Sequence, residues 1–380
     1  MWSNRIQEEA IFYIKKALKI AYQYELFNEA INCLSILTIS SNRYVSFKEY
    51  EKYTNELFES HTYLGHILQA TSIRNTLFKN ASNKGYNKKF VEDASKQVTT
   101  LKKLYQKSNL STIGSIYYQI RINVALHTND LANATIYCNK YQKLIYKSPA
   151  LDSIPNKGGI NLLLANNYLR LHYYSRSIEA AKEAMYIYID PSSNYIRACE
   201  ALFFPLFYNN DYEKANDLIS RIKTSPILKK NKFIKEKWEY FYINILFRQK
   251  KYQEVLDRIH DLTILSTDKE GWLAHIKVLE IICYIEKENY KTIFYKVEGY
   301  RAWLYRHKIN KNLRLMKIYR ALHLVDKSIY NPSSERRKLN YINTQLHTTD
   351  GKLKWEMSEA EVSPFHIWLN SYLERKEILS

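Results

Sequence analysis

The sequence predicts an all-α protein, a right-handed α-solenoid of antiparallel helix hairpins. Three observations predict it. A short turn recurs, as NDLANA at 129–134, YYSRSI at 173–178, NDYEKA at 210–215, KYQEVL at 251–256 and NYKTIF at 289–294. In each copy a large residue (Leu131, Tyr174, Tyr212, Tyr252, Tyr290) is followed three places on by a small or β-branched one (Ala134, Ser177, Ala215, Val255, Ile293). The copies stand 38–43 residues apart, and a period of that size marks stacked supersecondary units. Finally, 8 Gly and 7 Pro in 380 residues leave little material for the many tight turns of an all-β fold, so long helices joined by short loops are expected.

Residues 1–45 read as an N-terminal repeat-like hairpin. Its first helix carries an apolar stripe of Ile6, Ala10, Ile11, Tyr13, Ile14, Ala17 and Leu18, and YELFNEA at 24–30 repeats the turn with Phe27 and Ala30 in the key places. Residues 46–108 break the period and read as a longer, irregular helical hairpin, with NASNKGYN at 80–87 between its helices. Regular hairpins fill 109–330. Loops bearing Pro and Ser separate them at 148–159, 190–193 and 224–231, the first ending in a Gly158–Gly159 loop doublet. Residues 331–380 read as capping helices. The last starts at Pro364 and offers Phe365, Ile367, Trp368, Leu369, Tyr372 and Leu373 to cover the final repeat. Together the four segments are expected to form one continuous solenoid.

The formal net charge is +19, spread as +9 over residues 1–190 and +10 over 191–380. An even spread favours background composition over a nucleic-acid footprint, which makes nucleic acid a lesser expectation than protein. The densest basic run is 296–320, where Lys296, Arg301, Arg306, Lys308, Lys311, Arg314, Lys317 and Arg320 face Glu298 alone. It is either the solvated face of two helices or a patch for phosphate or an acidic partner. Cys33, Cys138, Cys199 and Cys283 lack CxxC spacing and read as buried free thiols of a reducing compartment. With no signal peptide and no apolar run of membrane-spanning length, the chain is expected to be cytoplasmic, without membrane insertion. No P-loop, HExxH or GxSxG motif is present, and His61 and His66 are five apart, off a shared helix face. The expectation is a non-enzyme with no cofactor and no metal.

At 161–191 the segment NLLLANNYLRLHYYSRSIEAAKEAMYIYIDP resembles a tetratricopeptide repeat. Leu164, Ala165 and Tyr168 stand at the family's Leu-Gly and Tyr positions, Tyr174 at its turn Tyr, and Ser177 and Ala184 at its two small positions. Asn161 replaces the family's Trp, and Pro191 is displaced from the closing Pro. The spacing exceeds the family's period of about 34 residues, so helices or loops are longer here. The resemblance covers roughly 110–330, with a fainter copy at 1–40, and implies a tetratricopeptide-like superhelix.

The recurring turn also serves as a ruler. Eight residues before it stand Asn123, Asn166, Phe204, Asn244 and Ile282; four before it stand His127, Arg170, Tyr208, Arg248 and Glu286. Residues at i and i+4 share one side of a helix. By the resemblance, these first helices line a concave groove in which Asn side chains bond an extended peptide backbone and cations take its acidic groups. Phe204, Phe207, Tyr208 and Phe247 would give that groove an apolar floor. An Asn amide both donates and accepts, so it satisfies a peptide unit of any sequence, and Arg offers a fork for carboxylates. The plainer alternative is that Asn is abundant and these are ordinary exposed helix positions. The functional expectation is a helical-repeat scaffold that binds a peptide or protein partner. Two alternatives are a bacterial peptide-sensing regulator, whose effector bundle would be 46–107, and nucleic-acid binding through the basic surface.

Overall fold

The computed structural model describes residues 2–39, 46–84, 88–263, 265, 271–329, 332–348, 351–355, 357 and 360–378. Among them every regular element is helical, and the all-α solenoid expected from the repeat is what the chain adopts. The chain divides into two compact units, 1–209 and 210–380. The first holds α1 (Trp2–Gln23), α2 (Phe27–Ile39), α3 (Phe47–Lys84), α4 (Lys88–Ser108), α5 (Ser111–His127), α6 (Leu131–Lys147), α7 (Ile154–Arg170), α8 (Tyr174–Ile187) and α9 (Ser193–Tyr208). The second holds α10 (Tyr212–Lys223), α11 (Pro226–Lys230), α12 (Lys232–Arg248), α13 (Tyr252–Ile259), α14 (Trp272–Glu286), α15 (Tyr290–Arg306), α16 (Leu313–Ser328), α17 (Pro332–Leu346) and α18 (Phe365–Ile378). Part of the NASNKGYN junction, 85–87, lies outside the described residues.

The recurring turn has a specific geometry. Its large residue is the first residue of the second helix in every copy: Phe27, Leu131, Tyr174, Tyr212, Tyr252 and Tyr290. The residue three places on is fully buried each time, with Ala30, Ala134, Ser177, Ala215, Val255 and Ile293 all 0% exposed. A short or β-branched side chain there lets the second helix lie close on the first. Ser177 satisfies its buried hydroxyl by donating to the Ala165 carbonyl at 2.8 Å, across its hairpin.

Two places before each second helix stands a residue in the left-handed conformation: Glu25, Asn129, His172, Asn210, Lys250 and Glu288, with φ between 54° and 61°. The backbone around it closes the preceding helix as a Schellman motif. The Asp130 amide donates to Ala125 O at 2.8 Å and that of Asn129 to Leu126 O at 3.2 Å; Lys251 and Lys250 do the same to Leu246 O and Phe247 O, both at 2.9 Å. None of these positions is a glycine, so each turn carries left-handed strain that a Cβ makes unfavourable. Lys250 is exposed, and its change to Gly should stabilise the chain by about 0.5–1 kcal/mol, seen as a raised thermal midpoint.

In the first unit the core runs through Leu18, Ala30, Leu34 and Leu37, and separately through Phe27, Leu77, Phe90, Leu101, Ile113 and Ile116. In the second, Trp238, Phe241 and Tyr300 are among its largest buried side chains. The loop expected at 148–159 is mostly helical. Ser153 caps α7 by accepting the Asn156 amide, Pro155 occupies the first turn, and both Gly158 and Gly159 are helical. In α18, Phe365, Trp368, Leu369, Tyr372 and Leu373 are buried as expected, but Ile367 is 41% exposed. Trp368 Nε1 and Arg375 both reach Glu286 on α14, fastening this helix within the second unit. Cys138, Cys199 and Cys283 are buried, Cys33 is half-buried, and none forms a disulfide. No helix among the described residues is long and apolar enough to cross a membrane.

Candidate functional site

The predicted groove residues divide between the units. In the first, α5 carries Asn123 and His127. Asn123 is half-buried and donates to the Gln119 carbonyl one turn back at 2.8 Å, a bond internal to the helix. His127 is exposed, with its ring edge-on to Phe90 at 5.8 Å. Partial burial and then the nearby Arg170 charge lower its pKa. On α7, Asn166 and Arg170 are both exposed, and Arg170 Nη2 donates to Asn129 Oδ1 at 3.1 Å. The C-terminal ends of α5 and α7 thus bring His127, Asn129 and Arg170 together, with Asn166 one turn behind. Phe204, expected in the groove floor, is buried in α9, its ring stacked 6.2 Å from that of half-buried Tyr208.

The second unit treats its copy differently. Asn244 is 1% exposed and donates to the Tyr240 carbonyl at 2.9 Å, so its amide is turned inward and is not offered to a peptide. Its Oδ1 is buried without a hydrogen-bond partner. Arg248 bonds Tyr212 Oη at 3.1 Å and Asn210 Oδ1 at 3.3 Å, both in the preceding turn. Glu286, at the equivalent place on α14, accepts from Tyr252 Oη at 3.1 Å. Arg170, Arg248 and Glu286 therefore play the same structural part, each tying the end of a first helix to the turn of the hairpin before it. That accounts for a polar residue four places before the turn without any ligand.

The basic run resolves into paired and unpaired cations. Lys296 pairs with Glu280 at 2.6 Å and Arg301 with Glu298 at 2.8 Å. Arg314 is not a surface residue at all, being 7% exposed and bound to buried Glu361 through two donors, Nε at 2.8 Å and Nη2 at 2.7 Å. Burial of the carboxylate demands a fixed cation, and the helical spacing that placed Arg314 in a patch could not reveal it. Arg306, Lys308 and Lys311 are all exposed.

Lys317 and Arg320 belong to a pocket of about 550 Å³ between α16 and α17. From α16 come Lys317, Arg320, His323 and Leu324; α17 adds Arg337, Lys338, Tyr341 and Ile342. The Lys317 ammonium lies 5.9 Å from the Tyr341 ring centroid. Burial and the Arg320 charge lower the Lys317 pKa, as a neighbouring like charge must. Lys338 pairs with Glu335 at 3.2 Å, while His323 Nδ1 stands 3.7 Å from Glu298. Arg337 and Lys338 lie outside the basic run, and their spacing in the sequence does not join them to Lys317 and Arg320; the hairpin does.

No protein-family model matches the sequence, and no curated protein matches it. Among solved structures, the crystal structure of the apo form of RapI is similar. It aligns over 98% of this chain and 99% of its own, with a TM-score of 0.50 and 13% identity. At that identity the likeness speaks to the fold alone.

Proposed function

We propose that the chain is a non-enzymatic helical-repeat scaffold that binds an extended peptide or protein segment. The observation that carries this reading is the exposed α5–α7 surface of the first unit, where Asn166, with no side-chain hydrogen bond among the described residues, stands one turn from Arg170, whose charge reaches His127. An amide with both donor and acceptor free can pair with a peptide unit regardless of its side chain. Arg170, anchored on Asn129, is pre-oriented and keeps further donors for an acidic group. The second unit does not repeat this surface, so the contact is expected to be confined to one stretch rather than to extend as a ladder along every hairpin.

The test is a screen of a random peptide array with the full chain, followed by calorimetric titration of the peptides retained. Asn166→Ala combined with Arg170→Ala should weaken their binding by about tenfold or more, while the stability read by the circular-dichroism melt falls only by what the exposed Arg170–Asn129 bond contributes, about 1 kcal/mol or less. Retained affinity in that variant would place the binding surface elsewhere.

A further inference from the structure

The pocket between α16 and α17 is independent of the α5–α7 surface and has a chemistry of its own. Its rim brings Lys317 and Arg320 on one helix against Arg337 and Lys338 on the next, and no carboxylate lines it. Glu335 neutralises Lys338 of the rim, and Glu298 pairs with Arg301 and stands 3.7 Å from His323 Nδ1, which leaves the two arginines of the rim. Neither Arg320 nor Arg337 has an ion-pair partner among the described residues, and both are exposed. Burial and then Arg320 lower the Lys317 pKa, so these two cations repel one another, and an anion entering beside Arg320 and Arg337 relieves that repulsion. The wall between the cations is apolar, with Leu324 half-buried and Ile342 buried. A concave apolar wall with a few convergent charged groups is the general form of a ligand pocket.

We propose that this pocket binds a short acidic segment of a partner protein, with two carboxylates meeting Arg320 and Arg337 and an intervening apolar side chain resting on Leu324 and Ile342. Arginine suits this role because its planar fork pairs with a carboxylate through two parallel hydrogen bonds. The same accounting argues against nucleic acid. A phosphate backbone needs a track of cations, whereas Lys296, Arg301 and Arg314 in the basic run are already paired within the fold. Of the rest of the run, Lys317 and Arg320 meet Arg337 and Lys338 at one pocket large enough for a few side chains, while Arg306, Lys308 and Lys311 lie outside it. The tetratricopeptide-like groove contributes nothing to this assignment, and the two can fail separately.

The experiment is fluorescence anisotropy of the full chain with a labelled, end-blocked peptide, Asp-Glu-Phe-Glu-Asp, at low ionic strength. Its controls are the Asn/Gln counterpart, the same peptide with Gly for Phe, and a twelve-residue single-stranded oligonucleotide. Saturable binding is expected for the acidic peptide, several-fold weaker binding without Phe, and none for the neutral peptide. Arg320→Gln with Arg337→Gln should weaken it by about tenfold or more, whereas Arg306→Gln with Lys311→Gln, outside the pocket, should change it by less than about threefold. Both double variants replace exposed side chains, so unchanged melting curves accompany the result. Four outcomes each overturn the proposal. They are no saturable binding, equal binding by the pocket variant, an equal loss in the outside variant, or tighter binding of the oligonucleotide through the same arginines.

Discussion

Replacing Arg314 with Met is expected to lower the unfolding free energy by about 3–5 kcal/mol, read by urea denaturation at neutral pH. The cause is what the change leaves behind. Glu361 is 5% exposed, and its carboxylate accepts both Arg314 donors and the Phe365 amide at 3.2 Å. Arg314 Nη1 also donates to the Leu353 carbonyl at 2.7 Å, so one guanidinium binds the segment before α18 at two places. Without it a buried carboxylate stands unpaired, which costs far more than the pair contributes on balance. Arg314→Met with Glu361→Leu should therefore recover much of the loss; a double variant as unstable as the single one would refute this account.

The same cluster sets an acid limit. Hydrogen bonds and charge from Arg314, together with His275, hold the Glu361 carboxyl below its usual range although burial acts against them. Its stabilisation is complete above the unfolded carboxylate pKa and is lost as pH falls through the lower folded value. Burial, then the Arg314 charge, lowers the His366 pKa from 6.5 to about 4. The unfolded chain therefore takes up that proton first, and stability declines between pH 6.5 and about 4, by roughly 3 kcal/mol in all. In Arg314→Met the guanidinium's repulsion of the two histidines is removed while the attraction of Glu361 remains. A protonated His366 or His275 can then face Glu361, so the deficit relative to the parent should shrink from pH 8 to pH 5.

How much of this was legible follows from how local each feature is. The turn was readable because its two key residues, such as Tyr212 and Ala215, are three apart and repeat with the hairpin. The left-handed residue two places earlier was not, because its signature is normally Gly and here it is Glu, Asn, His or Lys. Few glycines therefore did not mean few tight turns. Glu25 shows a second limit. Helix α5 has Leu110 at its N-cap, and the missing acceptor comes from Glu25, which takes the Ser111 and Thr112 amides at 2.6 and 2.8 Å. An acceptor 86 residues away leaves no trace in a local pattern. Charge was the least legible property. Arg314, Arg301 and Arg320 look alike in a run, yet one is buried in an ion pair, one is paired at the surface and one rims a pocket. The Asn and Arg positions found by the ruler are real equivalences. Their common cause, in Arg170 and Arg248, is the link to the preceding turn, and Asn166 differs from Asn123 and Asn244 in being exposed.

Gly158 and Gly159, neighbours in α7, are expected to respond to alanine with opposite signs. In a helix interior alanine is favoured over glycine by about 1 kcal/mol, and both positions would gain it. At Gly159 the nearest atom to an added Cβ is Tyr188 Oη at 4.0 Å, an ordinary contact, so the gain should appear in full. At Gly158 the Cβ would lie 2.2 Å from Tyr188 Cζ and 2.4 Å from Cε2, closer than atoms can approach. Tyr188 is 6% exposed and rigid beyond two torsions, and it closes the C-terminal end of α8, so its ring must leave its site or push α7 away. Displacing a buried aromatic costs about 2–4 kcal/mol, which outweighs the helix gain and leaves Gly158→Ala destabilised by about 1–3 kcal/mol. Thermal denaturation of the two single variants reads the signs. A cycle with Tyr188→Ala reads the cause, since with the ring removed Gly158→Ala should become neutral or stabilising. If it remains as harmful without Tyr188, the glycine is required for something other than the approach of that ring.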